Sequence, residues 1–98
     1  MSVTVLSEYY CHDGKVDEFI RIAHEMFPAA RRLAGCERIY LTISEDNKSH
    51  IIIISVWKRA QDHHFYLEGQ TKNGNMVKIY QILKEHPRNT YLTNLDDF

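Results

Sequence analysis

Residues 49–66 read SHIIIISVWKRAQDHHFY, and this stretch decides the fold of the chain. His50–Lys58 is too short for a membrane-spanning helix and too rich in β-branched residues for a good soluble helix, so it predicts a strand. Successive side chains of a strand point to opposite faces, which places two of the four isoleucines at 51–54 on each face. A strand that is apolar on both faces predicts a sheet whose second face is buried by a second subunit.

The remaining sequence predicts three more strands and the helices that connect them. Alternating or β-branched segments predict strands at Val3–Cys11, Cys36–Ser44 and Asn89–Leu95. Apolar residues spaced by three and four predict a helix from Lys15 to Leu33, and two shorter helices follow at Ala60–Gly69 and from Met76 to Leu83.

Proline and glycine residues predict where the first helix is interrupted and where it ends. Pro28 removes a backbone donor and clashes with the preceding turn, so a kink or a restart is expected near Met26 to Pro28. Gly35 follows two arginines and is placed to close the helix in the left-handed conformation.

The predicted order is strand, helix, strand, strand, helices, strand. This is the split βαβ arrangement of a ferredoxin-like α+β sandwich with a four-stranded antiparallel sheet. The first and third strands lie side by side in the middle of such a sheet, and the last strand lies at an edge. At 98 residues the chain has the size of one small domain, so we expect a single domain over residues 1–98.

Charge and hydropathy exclude several classes of partner. The formal net charge is −1 and basic residues do not cluster, which argues against nucleic-acid binding. No apolar run approaches the ~20 residues that span a bilayer, and the N-terminus lacks the pattern of a signal peptide. We therefore expect a cytoplasmic protein that binds no membrane. The six histidines show no metal-ligand spacing, so no metal site is expected.

Several stretches, in this order and spacing, resemble the antibiotic biosynthesis monooxygenase domain of the dimeric α/β-barrel superfamily. They are Gly14–Phe19 opening the first helix, Gly35-Cys36 before the second strand, Val56–Lys58 ending the third, and His64–Leu67 in the next helix. The resemblance covers about residues 3 to 95 and implies a homodimer. The family includes cofactor-free oxygenases of aromatic polyketides and quinols, haem-degrading enzymes and an isomerase, so the fold alone does not fix the function.

The resemblance also suggests which residues form the site. In the polyketide oxygenases a Trp at the end of the third strand and a hydroxylated ring about one and a half turns later contact the substrate. Trp57 matches the tryptophan of these enzymes. At the position of the hydroxylated ring this sequence has His63 instead. The haem-degrading branch needs an Asn and a Trp at the places of Ser7 and Tyr66, so haem degradation is disfavoured.

A cofactor-free oxygenase has to make its substrate the electron donor for O₂. The protein therefore helps to deprotonate a phenol or quinol, keeps the anion out of water, and donates hydrogen bonds to developing oxyanions. We expect His63 and Trp57 to be catalytic, because a histidine titrates near neutrality and an indole donates one hydrogen bond. The expected substrate-binding residues are Ser7, Tyr9, Tyr40, His64 and Tyr66.

The residues leave other interpretations open. Trp57 and the tyrosines also suit packing roles, and His63 and His64 point about 100° apart on a helix, so at most one of them faces a given pocket. The main hypothesis is a homodimeric monooxygenase of a small aromatic or quinol-like molecule that uses O₂ and no cofactor. The alternatives are an isomerase or detoxifying enzyme of a small reactive carbonyl metabolite, and a non-enzymatic dimeric ligand-binding module.

Overall fold

The computed structural model, which describes residues 1–96, contains four strands and three helices within that range. The strands are β1 (Val3–Tyr10), β2 (Cys36–Ile43), β3 (His50–Trp57) and β4 (Arg88–Thr93), and the helices are α1 (Val16–Arg31), α2 (Ala60–Lys72) and α3 (Asn75–Tyr80). Their order, β1-α1-β2-β3-α2-α3-β4, is that of a ferredoxin-like α+β fold. The predicted fold class is confirmed.

The four strands form one antiparallel sheet in the order β2-β3-β1-β4. The prediction that β1 and β3 lie side by side in the centre is correct, and β4 is the edge strand that was expected. Ser55 of β3 pairs with Val5 of β1 and with Ile39 of β2. Tyr91 of β4 pairs with Val5 from the other side, so this register brings side chains of all four strands onto one face.

The two faces of the sheet have different surroundings. Ile51, Ile53, Ser55 and Trp57 are buried on the face that carries the helices. There they pack with apolar residues of α1 and α3, among them Phe19, Ile22, Met26, Met76 and Ile79. On the opposite face the side chains at 52 and 54 remain half-exposed. Both faces of β3 are therefore apolar, as its sequence predicts; the chain covers the helical face fully and the opposite face only at Val56.

Helix α1 differs from its prediction at both of the points where proline and glycine were expected to act. The helix continues through Pro28 to Arg31 without a restart. Loss of the proline N–H removes a single helical hydrogen bond, while Phe27 and Ala30 on either side of Pro28 remain buried in the core. The predicted left-handed conformation of Gly35 is also wrong, because its φ is not positive; among residues 1–96 only Gly14 and Gly74 have positive φ.

Gly35 is required for a different reason, a close approach to Asp62. A Cβ atom at position 35 would lie 2.7 Å from the Asp62 Cβ and closer still to the carboxyl group. Asp62 accepts hydrogen bonds from the backbone N–H and the guanidinium of Arg59 and so helps to cap α2. The loop before β2 therefore packs tightly on the first turn of α2.

The second helical region also differs from prediction in its boundaries. Helix α2 extends three residues beyond Gly69, and α3 ends at Tyr80, before Leu83. Leu83 instead forms an isolated bridge with Cys11, and the Lys84 N–H donates to the Tyr10 carbonyl at 2.8 Å. These tertiary hydrogen bonds end the helix before its apolar pattern ends. No helix within residues 1–96 is long and apolar enough to cross a membrane.

The close approach at Gly35 gives a test of the fold. Gly35→Ala should lower the free energy of unfolding by about 1–3 kcal/mol, because the added methyl group overlaps Asp62 and disturbs the cap of α2. Gly69→Ala is the matched control, since no atom lies within 4 Å of its Cβ position. Gly69 is inside α2, so this control should raise stability by about 0.5–1 kcal/mol. Urea unfolding of both variants measures the difference; equal stabilities would contradict the contact.

Candidate functional site

An aromatic cluster lies between the sheet and α2. Trp57 ends β3 and is fully buried, and His63 and Tyr66 lie on the inner face of α2, because residues three apart share a helix face. The Trp57 ring centroid is 5.6 Å from that of His63 and 5.5 Å from that of Tyr66. The structure thus brings together the two residues that were predicted to be catalytic.

Tyr91 of β4 completes this cluster and was not predicted from the sequence. Its hydroxyl lies 2.8 Å from Nδ1 of His63, and the two ring centroids are 5.5 Å apart. Tyr91 reaches the cluster because its pairing with Val5 places it on the helix-covered face. The alternation of residues 91, 93 and 95 indicates that these residues share a face, but the sequence does not reveal which face.

His63 and His64 have different environments although they are adjacent. His63 is 3% exposed, whereas His64 lies at the surface. The prediction that only one of them faces the interior is therefore correct. The His64 ring stacks on the outer side of Tyr91, with centroids 5.2 Å apart and planes 22° from parallel. Tyr91 consequently contacts both histidines.

His63 is neutral at physiological pH. Burial, with a smaller contribution from the neighbouring His64, lowers its pKa to about 4. The charged imidazolium is disfavoured because burial removes its hydration. A neutral imidazole carries one unprotonated nitrogen, which is the form that accepts a proton from a substrate.

Two buried polar atoms near this cluster have no hydrogen-bond partner among residues 1–96. They are Oγ of Ser55 and Nε1 of Trp57, both on the helix-covered face of β3. Residues two apart on a strand share a face, and their Cα atoms lie about 6.5 Å apart. Each unpaired buried donor costs about 1–3 kcal/mol. Ser55 was not predicted as a site residue, since a serine within an apolar strand has no distinguishing sequence pattern.

Ser7, Tyr9 and Tyr66 are also buried on the helix-covered side of the sheet. Tyr9 packs against Phe19, with ring centroids 4.8 Å apart. Burial raises the pKa of Tyr9, and a hydrogen bond from Ser7 opposes this in part. Tyr66 donates to the Met26 carbonyl at 3.4 Å, and burial likewise raises its pKa. The two tyrosines are therefore neutral phenols, not anions, near neutral pH.

Tyr40 lies apart from the other predicted site residues. It pairs with Ile54, so its side chain is on the opposite face of the sheet from Trp57 and His63. There it is 37% exposed, and the Arg38 guanidinium lies 5.0 Å from its ring centroid. The expectation that Tyr40 joins the same substrate site does not fit this geometry, because the sheet separates them. Because successive side chains of a strand alternate between faces, Tyr40 lies on the other face of the sheet from Ile39 and Leu41.

The interior polar groups suit an organic ligand. Residues 1–96 contain no group of three or more His, Cys, Asp or Glu side chains that could hold a metal ion. The interior instead presents an indole N–H, serine and tyrosine hydroxyls and one neutral imidazole among apolar rings. Such a small number of hydrogen-bonding groups on an apolar surface is typical of sites for small aromatic molecules that carry oxygen atoms.

Comparison with known proteins supports this fold and identifies the family. The sequence profile described as antibiotic biosynthesis monooxygenase matches residues 2–71. No curated protein matches the chain. Among solved structures, SnoaB from Streptomyces nogalater, described as a cofactor-independent oxygenase, has a TM-score of 0.82 and 17% sequence identity, over 98% of this chain and 95% of its own.

Two other solved structures have the same fold. A conserved protein from Methanosarcina mazei has a TM-score of 0.86 at 12% identity, over 94% of this chain and 91% of its own. The protein Rv0793 from Mycobacterium tuberculosis has a TM-score of 0.86 at 14% identity, over 99% of this chain and 98% of its own. At such identities the likeness concerns the fold alone, whereas the sequence profile covers most of the chain. The chain therefore belongs to the antibiotic biosynthesis monooxygenase family.

Proposed function

We propose that this protein is a cofactor-independent monooxygenase of a small aromatic substrate of the quinol or polyketide type, with O₂ as the second substrate. The observation that carries the proposal is the neutral, buried His63 within ring contact of Trp57, whose indole N–H has no partner in the described part of the chain. Family membership supports the reaction class. The description of the Streptomyces nogalater neighbour as a cofactor-independent oxygenase is consistent with it.

The reaction needs no redox group on the protein if the substrate supplies every electron. Deprotonation of a phenol or of its keto tautomer gives an electron-rich anion, which passes one electron to O₂. The resulting radical and superoxide combine into a peroxide. Loss of water then leaves a carbonyl, so that a CH₂ group and O₂ become C=O and H₂O. The four electrons lost by the carbon reduce the two oxygen atoms.

The described residues can assist each part of this chemistry. His63 is neutral, so one of its ring nitrogens has a lone pair that can take the substrate proton. Trp57 Nε1–H and Ser55 Oγ–H would donate to the oxygen that becomes negative, since no group of residues 1–96 competes for these buried donors. Ser7, Tyr9 and Tyr66 would form the wall of the site. The exposed His64, which was also expected to bind substrate, lies outside it against Tyr91. The aromatic rings exclude water, which would otherwise reprotonate the anion.

We also propose that two copies of the chain pair through the open face of the sheet. Ile52 and Ile54 lie in the centre of this face, next to Leu6 of β1 and Tyr40 of β2. Leu92 of the edge strand adds an exposed apolar side chain to the same face. An apolar sheet face of this kind is stable in water when a second sheet covers it.

Oxygen uptake tests the catalytic proposal. With a panel of quinols and anthrones in buffer treated to remove metals, the wild-type protein should consume O₂. His63→Gln should lower kcat by about 10²-fold or more, because a positioned base contributes about 10²–10⁴-fold. Trp57→Phe should lower it by about tenfold or more through the loss of one oxyanion donor.

Matched controls separate chemistry from stability in this experiment. His24→Gln makes the same change at an exposed position of α1 and should leave uptake unchanged. Thermal unfolding of every variant shows whether it is folded at the assay temperature. If folded His63→Gln and Trp57→Phe match the wild type, the assignment of the site is wrong. Tight binding of the panel without any O₂ uptake would instead support a ligand-binding module.

The buried histidine predicts how stability depends on pH. An unfolded histidine titrates near 6.5 and folded His63 near 4, so the unfolded state alone takes up a proton between these values. Stability should therefore be unaffected by this group above pH 6.5 and should fall by about 3 kcal/mol between pH 6.5 and 4. Urea unfolding across this range should show a smaller fall in His63→Gln. A fall of equal size would contradict the lowered pKa.

The proposed dimer can be tested by measuring molar mass. The wild-type protein should elute as a dimer in size-exclusion chromatography with light scattering. Ile54→Glu places a charge in the centre of the open sheet face and should give monomers. Val77→Glu is the control, because Val77 is 52% exposed on α3, on the helical side of the sheet. A wild-type monomer at micromolar concentration, or a dimeric Ile54→Glu protein, would overturn this arrangement.

A further inference from the structure

Tyr91 connects the edge strand β4 to helix α2. It belongs to β4, at the edge of the sheet, yet its hydroxyl hydrogen bonds to His63 on α2. His64 stacks on the same tyrosine ring from the solvent side. Tyr91 therefore contacts two residues of α2. Its hydroxyl hydrogen bonds to Nδ1 of His63, and its ring stacks on His64.

The hydrogen bonds of His63 leave its two ring nitrogens in different situations. Nδ1 is paired with the Tyr91 hydroxyl, and within residues 1–96 no hydrogen bond involves Nε2. In a neutral imidazole one nitrogen carries the proton and the other accepts one, and the partner of the first decides which. If Tyr91 accepts from Nδ1–H, then Nε2 is the unprotonated nitrogen. If Tyr91 donates instead, Nε2 carries the proton and no nitrogen is free to act as a base.

We propose that Tyr91 is a positioning residue whose phenolic oxygen accepts the Nδ1–H of His63 and thereby leaves Nε2 as the proton acceptor of the site. The inference rests on the proposed function, since it assigns an orientation to the proposed base. Tyr91 is partly exposed, so its own O–H proton can be donated to water. The phenolic oxygen then has a lone pair available for the imidazole.

The proton transfer balances with these groups alone. The substrate O–H or C–H bond breaks, its electron pair stays on the substrate, and the proton forms a new N–H bond at Nε2. His63 becomes an imidazolium that donates from Nδ1 to Tyr91, and the proton leaves when water is lost from the peroxide. The hydrogen bond to Tyr91 is stronger when the ring is charged, so it stabilises the state that forms during the reaction.

Nuclear magnetic resonance of the ¹⁵N-histidine-labelled protein tests the orientation directly. A long-range ¹H–¹⁵N spectrum distinguishes Nδ1–H from Nε2–H imidazoles, and the signal of His63 is identified by its absence in His63→Gln. The wild type should show the Nδ1–H form of His63. Tyr91→Phe, which keeps the ring that stacks on His64, should lose this preference. Tyr80→Phe is the control, since Tyr80 is an exposed tyrosine of α3 that should not alter the His63 signal.

Kinetics then test the positioning role. Tyr91→Phe should lower kcat for O₂ uptake by about tenfold, the effect of one hydrogen bond, while KM changes by less than twofold. Tyr80→Phe should match the wild type in both. A wild-type Nε2–H tautomer, a tautomer that is unchanged in Tyr91→Phe, or an unchanged kcat in that variant would each overturn the inference.

The two readouts also separate this inference from the proposed function. If the wild-type protein consumes no O₂ with any quinol or anthrone, the proposed function fails. The spectrum still decides the orientation, because it needs no substrate: an Nε2–H His63 contradicts the assignment, and an Nδ1–H His63 that depends on Tyr91 supports it.

Discussion

Strand β3 lies between β1 and β2, and the alternation of its side chains constrains the rest of the structure. Ile51, Ile53, Ser55 and Trp57 lie on the face of the sheet that is covered by the helices. The other set of side chains faces outward, and its isoleucines, Ile52 and Ile54, remain half-exposed in a single chain. Because a shift by one residue would exchange the two sets, the register of β3 fixes both the interior of the molecule and the surface that is open to a partner.

The interior is polar where packing alone would favour apolar residues. Ser55 and Trp57 carry buried donors that have no partner among residues 1–96, and the Trp57 ring contacts the neutral imidazole of His63. An apolar residue in place of Ser55 would avoid the penalty of an unpaired buried hydroxyl. A ligand oxygen that accepted these hydrogen bonds would remove the penalty, which is why the proposed site includes them.

Much of the fold and part of the site were predictable from local sequence. The alternation and β-branched content of residues 50–57 predict a strand with two apolar faces, and the spacing on α2 correctly separates His63 from His64. The Tyr40 expectation does not fit the structure, and the alternation of β2 already separates Tyr40 from the apolar face of Ile39 and Leu41. The role of Gly35 was also missed, since its close neighbour Asp62 is 27 residues away and only the folded chain brings the two together.

By itself the sequence determined the order of the elements, their approximate lengths and the family, because hydrophobic periodicity and short motifs are local properties. It also supplied Trp57 and His63, which lie six residues apart. Only the tertiary structure decided that Tyr91 contacts His63 at a separation of 28 residues and that Ser55 is buried without a partner. Those contacts depend on strand register and on the packing of α2 over the sheet, and such long-range geometry cannot be deduced from the spacing of residues in one chain.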